Sequence, residues 1–258
     1  MLKQMTTTTS KDTAKASVDE AEVARFAANA HLWWDPSGPY APLHALTPVR
    51  VTFVRDETTR HFSRDPLVLR CLDGLTLLDV GCGGGILAEP LSRLGAKVTA
   101  IDPAEKNVAA ARAHAGEAGL AIDYRAETAE ALLAAGESFD VVVASEVIEH
   151  VTDPGAFVKT LAGLTKPGGI VMLSTLNRTL KSFGLAIIGA EYILRWLPRG
   201  THDWEKFVTP DEMAHYARGA GLVPGNRRGM IYNPLKREWN LGADTDVNYW
   251  FAADKSEG

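Results

Sequence analysis

LLDVGCGGGILAE, Leu77–Glu89, joins an apolar strand to a glycine-rich turn and the start of a helix. Gly81, Gly83, Gly84 and Gly85 carry no Cβ, so the backbone here is able to turn sharply and come within contact distance of a ligand. The helix that follows is expected to offer its free N–H groups to the same spot. Dinucleotide folds use a similar turn, so the discriminating features lie downstream. A second strand, KVTAID (Lys97–Asp102), ends in an acid 21 positions after Gly81, where a carboxylate accepts both hydroxyls of a ribose.

Three further signals follow in order. Glu127 stands in AET (126–128), where a third strand would end. FDVVVASEVIEH (139–150) reads as a fourth strand entering a helix, and KPGGIVMLST (166–175) as a turn and fifth strand. Strand and helix patterns alternate from Leu75 to Phe251, which implies a mostly parallel sheet covered on both faces. Ligands of such sheets sit at the carboxyl ends of the strands, and Asp79, the glycine turn, Asp102, Glu127 and Ser145 all map to that edge. The ordered series resembles the class I S-adenosylmethionine (SAM) methyltransferases. That resemblance implies a Rossmann-like α/β fold with a seven-stranded sheet. Its last two strands, near Met230–Tyr232 and Val247–Phe251, would form an antiparallel hairpin.

Composition sets the outer limits. With 258 residues, 46% hydrophobic and 23% charged, the chain suits one large core with additions. A net charge of -5 argues against a nucleic-acid partner held mainly by charge. Cys71 and Cys82 are the only cysteines, and Cys82 lies inside the glycine turn. A disulfide would tether that turn, so free thiols and a reducing, cytoplasmic setting are expected. Residues 1–16 lack the apolar run of a signal peptide and read as a disordered tail. A helical arm is expected over 17–74 and the main domain over 75–258, with an insertion at 176–207.

Within the arm, Ser17 and Glu20 form a capping-box signature for a helix through about Ala30. His31–Arg50 mixes Trp33, Trp34, Tyr40 and His44 with prolines and reads as irregular. Its aromatics either roof the ligand site or anchor the arm to the core. A second helix is expected from about Pro48 to Cys71, with breaks near Asp65-Pro66 and Arg50 close to its start. A guanidinium there suits the carboxylate of an amino-acid ligand, which it grips through two parallel hydrogen bonds. Beyond the fifth strand, Thr209, Pro210 and Glu212 mark another helix start.

The chemistry is expected in SEVIEH. If a helix opens near Ser145, then Glu146, Glu149 and His150 fall at i, i+3 and i+4 and share one face. Two carboxylates and an imidazole suit a divalent cation such as Mg2+. His150, assisted by Glu146, alternatively suits a general base for an acceptor hydroxyl. The two assignments compete, because a metal-bound imidazole is not free to take a proton. The insertion carries SFGLAIIGAEYILRWLP (182–198), apolar apart from Glu191 and Arg195 and flanked by Arg178, Lys181 and Arg199. It is too short to span a bilayer. It reads either as an amphipathic element on a membrane surface or as a lid over the site, and both imply a greasy acceptor.

RFAANAHLWWDPSGPYAPLHALTPVR (25–50), SEVIEHVTDP (145–154), STLNRT (174–179), GAEYILRWLPRGTHDW (189–204) and the late DVNYWF (246–251) together resemble the ubiquinone biosynthesis O-methyltransferase family. The resemblance runs from about Glu22 to Phe251. It implies methyl transfer from SAM to phenolic hydroxyls of polyprenylated ubiquinone precursors, a 2-polyprenyl-6-hydroxyphenol and a 3-demethylubiquinol. It carries SAM contacts onto Arg50, Gly81, Asp102 and Ser145, beside Gly83 and Glu127 of the same edge. It carries a metal-associated triplet onto Glu146, Glu149 and His150. It also implies a peripheral place on the inner face of the cell membrane and contact with other enzymes of ubiquinone biosynthesis. Other readings are a SAM-dependent methyltransferase of another hydrophobic phenol or lipid, a nicotinamide-dependent oxidoreductase, and a non-catalytic SAM-binding module.

Overall fold

The computed structural model describes residues 20–184 and 204–257. Two arm helices, α1 (Glu20–Ala28) and α2 (Ala41–His61), precede the first strand. The chain then alternates through β1 (Thr76–Val80), α3 (Ala88–Arg93), β2 (Lys97–Ile101), α4 (Glu105–Glu117), β3 (Asp123–Arg125), α5 (Ala129–Ala134), β4 (Phe139–Ser145), α6 (Pro154–Leu164) and β5 (Thr165–Leu176). After a short α7 (Leu180–Ser182) come α8 (Pro210–Gly219), β6 (Leu222–Asn233), β7 (Glu238–Gly242) and β8 (Asn248–Lys255).

The sheet order is β3-β2-β1-β4-β5-β8-β6-β7. The first five strands are mutually parallel, and β8, β6 and β7 add antiparallel pairs. Among the described residues the expected seven strands are therefore eight. Glu238–Gly242 pairs with the outer part of a β6 that runs past the sheet's edge, Tyr232 opposite Trp239. Its five residues, EWNLG, alternate polar and apolar side chains, but so short a run does not by itself announce a strand.

Strand residues alternate in direction, so neighbours enter different cores. Leu77, Val141 and Val143 join Val49, Phe53, Val54 and Trp250 on the α2–α3–α4 face. Leu78 and Val142 join Phe157, Leu161, Met213 and Phe251 on the α5–α6–α8 face. The strand order reverses between β1 and β4, and the crevice beyond their carboxyl ends is where open α/β sheets hold ligands.

The arm differs from the sequence expectation. Helix α2 starts at Ala41, runs through Pro48, and ends before Ser63, whose φ of +53° is left-handed. Arg50 therefore sits mid-helix. An internal proline costs about 3 kcal/mol. Burial of Val49, Phe53 and Val54 at 5%, 1% and 0% exposure contributes roughly 1.5–3 kcal/mol each and outweighs it. The expected cap at Ser17 and residues 185–203 of the apolar insertion lie outside the described residues. No described helix is long and apolar enough to cross a membrane.

Candidate functional site

The glycine turn is built as the sequence suggests, but its open space is already claimed. Gly81 has φ +73°, and a Cβ there would lie 2.5 Å from Val147 Cγ2. Gly83 has φ +52°, and a Cβ there would lie 2.5 Å from the Trp33 indole, which also covers Gly84. The expected helix N-terminus contributes little, because α3 has six residues and starts at Ala88, three positions past Gly85. Trp33 donates through Nε1 to Asn107 Oδ1 at 3.0 Å and stacks on Tyr40, with centroids 3.7 Å apart. Trp34 donates to the Gly84 carbonyl at 2.9 Å and stacks on His114. The tryptophans thus both roof the turn and anchor the arm.

Asp102 follows β2 with its carboxylate held from three sides. Oδ2 accepts from the Gly83 N–H at 3.0 Å, and Oδ1 accepts from the Ala104 N–H at 2.9 Å and Asn107 Nδ2 at 3.1 Å. Burial pushes its pKa up, against those donors. Glu127 stands exposed in the turn after β3 and makes no bond with the other candidates. Cys71 and Cys82 are free and buried, and burial pushes both thiols up.

Asp79, on β1 beneath the turn, is 2% exposed and its Oδ2 has no hydrogen-bond partner. Burial, then the charge of Asp102, push it up to about 7, with Arg50 opposing. An unfolded aspartate titrates near 3.9, so the folded state holds this proton across the window from about 4 to about 7. Stability from this group is present at low pH and is lost as pH rises through that window. Asp79→Asn is expected to flatten the fall in melting temperature of the unliganded protein between about pH 4 and about pH 7. An unaltered slope would remove Asp79 from that role.

The Arg50 guanidinium, 6% exposed, lies among Glu146, Glu149 and Asp79. Its Nη2 is 3.8 Å from Glu146 Oε1, and its Nε has no partner. Burial pulls Arg50 down, and the three acids hold it up.

The SEVIEH segment is not an α-helix. Glu146 has φ +56°, left-handed for a residue with a Cβ, a strain on the order of 1–3 kcal/mol of the kind that gathers at functional sites. Its N–H donates to the Ser174 carbonyl at 3.0 Å, and Oε1 accepts from Ser174 Oγ at 2.9 Å. Ser145 Oγ stands 3.0 Å from the same hydroxyl. A single 3₁₀ turn, Ile148–His150, follows. Glu149 is 3% exposed; Oε2 accepts from Thr175 Oγ1 at 3.0 Å and Oε1 has no partner. Burial, with Glu146 beside it, pushes Glu149 well up.

His150 turns elsewhere. Its Nδ1 is 3.0 Å from Glu22 Oε2 on α1. The spacing i, i+3, i+4 places side chains on one face only in a continuous α-helix, and the left-handed Glu146 breaks that condition. Among the described residues no group of three or more His, Cys, Asp or Glu is gathered to hold a metal, so the expected triplet is not assembled. The two carboxylates alone, one with an unpartnered oxygen, still suit Mg2+, which takes one or two carboxylates and keeps waters. Glu22 escaped the sequence reading because 128 positions separate it from His150, and no local pattern marks the pair.

Comparison with known proteins follows the same lines. A family model described as "Methyltransferase domain" matches residues 78–173. A ubiquinone biosynthesis O-methyltransferase of Methylobacterium nodulans is 55% identical over 244 residues, covering 95% of this chain and 98% of the relative. One from Azorhizobium caulinodans is 56% identical over 238 residues, covering 92% and 94%. Among solved structures, magnesium protoporphyrin IX methyltransferase from Synechocystis with bound S-adenosylhomocysteine (SAH) aligns with TM-score 0.60 at 20% identity, covering 90% of this chain and 94% of that one. A SAM-dependent methyltransferase from Clostridium acetobutylicum also aligns at 0.60, with 11% identity, covering 90% and 99%.

Proposed function

The chain belongs to the ubiquinone biosynthesis O-methyltransferase family, and from that premise we propose how its site carries the reaction. It is a SAM-dependent O-methyltransferase acting on phenolic hydroxyls of polyprenylated ubiquinone precursors. The observation that carries the assignment of parts is a pair of buried orphans at the crevice, Arg50 Nε and Asp79 Oδ2. One donor and one acceptor without partners suit the carboxylate and ammonium of an amino-acid end. An arriving ammonium would draw the proton from Asp79. Asp102 takes the ribose hydroxyls, Gly81 and Gly83 shape the backbone beside them, and Ser145 and Glu127 border the adenosine.

SAM supplies a methyl group on a sulfonium, which needs alignment but no activation, and alignment is worth about 7–11 kcal/mol. The acceptor is the harder partner. A phenol of pKa near 10 is ionised in about one molecule in a thousand at pH 7, a handicap of roughly 4 kcal/mol. His150 takes the phenolic proton as the oxygen bonds to the methyl carbon and the carbon–sulfur bond breaks. Glu146, held by Ser174 and Arg50, lines the acceptor's place. Glu149 with Glu146 would hold Mg2+, which would supply Lewis-acid stabilisation of the phenolate. Chelation followed by magnesium restoration tests that site: a rate lost and regained supports it, and an unchanged rate removes it.

Incubation with methyl-labelled SAM and a short-chain prenyl catechol tests the reading as a whole. Label on the phenolic oxygen with one equivalent of SAH is expected, and SAM consumption without O-methyl product contradicts it. The apolar stretch 182–198 is proposed to rest on the membrane surface, where such substrates and partner enzymes reside. Deleting 185–197 is expected to cut co-sedimentation with anionic liposomes at least several-fold, in the manner of an interfacial amphipathic element. Equal sedimentation favours a lid instead.

A further inference from the structure

We propose that Glu22, on the arm helix α1, is a positioning residue that acts through His150, holding the imidazole so that its Nε2 faces the acceptor hydroxyl. The inference rests on the reading of His150 as the base. Its observation is the 3.0 Å approach of His150 Nδ1 to Glu22 Oε2, with the two side chains 19% and 24% exposed. A carboxylate only accepts, so Nδ1 carries the hydrogen in this pair, and in the neutral ring Nε2 is then the basic nitrogen. An acid on one ring nitrogen fixes tautomer and ring direction and stabilises the imidazolium that forms when the other nitrogen takes a proton.

The local backbone gives that help a purpose. His150 ends a three-residue 3₁₀ turn, and the extended Val151 follows it, so no continuing helix steers the side chain. Glu146 and Glu149 each give an oxygen to Ser174 and Thr175 and turn away from the imidazole. An orienting acid therefore has to come from another element, and the arm brings one. The arm that roofs the glycine turn through Trp33 also carries this acid, so one segment serves the donor pocket and the base. Glu22 touches no reacting atom; its effect passes through the ring.

The test uses the full chain in four forms: wild type, Glu22→Leu, His150→Ala and the double variant. Each is measured for turnover at saturating SAM and acceptor, and for SAM affinity by calorimetry. Glu22→Leu is expected to lower kcat roughly tenfold to a hundredfold with the SAM Kd within about twofold. In the His150→Ala background the same substitution is expected to cost nothing further, since its route of action is gone. Glu22→Gln keeps an acceptor oxygen without the charge and is expected to recover part of the loss. A fall in SAM affinity at unchanged kcat would make Glu22 a mere tether of the arm and overturn the proposal. So would an equal loss in both backgrounds. Full turnover in His150→Ala alone overturns the base assignment, and with it the role of Glu22.

Discussion

Replacing Asp102 by alanine is expected to raise the SAM dissociation constant at least about a hundredfold. Two effects add. The proposed bonds of the carboxylate to two ribose hydroxyls would be charge-assisted, each worth roughly 1.5–3 kcal/mol, so their loss would amount to about 3 kcal/mol or more. The same carboxylate also holds the turn in shape through Gly83, Ala104 and Asn107. Alanine leaves those three donors buried without an acceptor, and the turn loses its fixed geometry. Asp102→Asn, close in volume and still carrying one acceptor oxygen, is expected to fall between wild type and alanine. Calorimetric titration reads all three. An alanine variant that binds SAM within threefold of wild type would remove Asp102 from the ribose.

The second large effect concerns turnover. His150→Ala is expected to lower kcat by roughly 10² to 10⁴ while SAM affinity stays within about twofold. The size follows from the acceptor: without a base the reaction draws on the small ionised fraction of the phenol. The sparing of SAM follows from the structure. His150 faces Glu22, while the glycine turn and Asp102 are braced by Trp33 and Asn107. Rates at saturating SAM and acceptor check this, and full turnover would eliminate the base role.

The parts of this fold that rest on repeating local patterns were legible in the sequence. Strands β1, β2 and β4 lie where the apolar runs lead to Asp79, Asp102 and Ser145, because residues buried on both faces must be apolar until the chain reaches the ligand edge. Thr209 caps α8 with Pro210 and Glu212 in place, since a cap is a four-residue affair. What was missed depends on distant partners. Pro48 argued for a helix start, and only the burial of Val49, Phe53 and Val54 shows why the helix runs through it. The seemingly open glycines at 83 and 84 are filled by Trp33, some 50 positions earlier, so glycine there serves an indole as much as a ligand. The triplet at SEVIEH presumed a helix, and the left-handed Glu146 divides it into an inward acid pair and a histidine turned to the arm.

Calorimetric titration of the full chain with SAM, SAH and NAD in turn bears most directly on the crevice at Gly81 and Asp102 as a sulfonium-nucleoside site. Saturable one-to-one binding of SAM and SAH, with no heat from NAD, is the predicted result. Saturable NAD binding with SAM silent would contradict it.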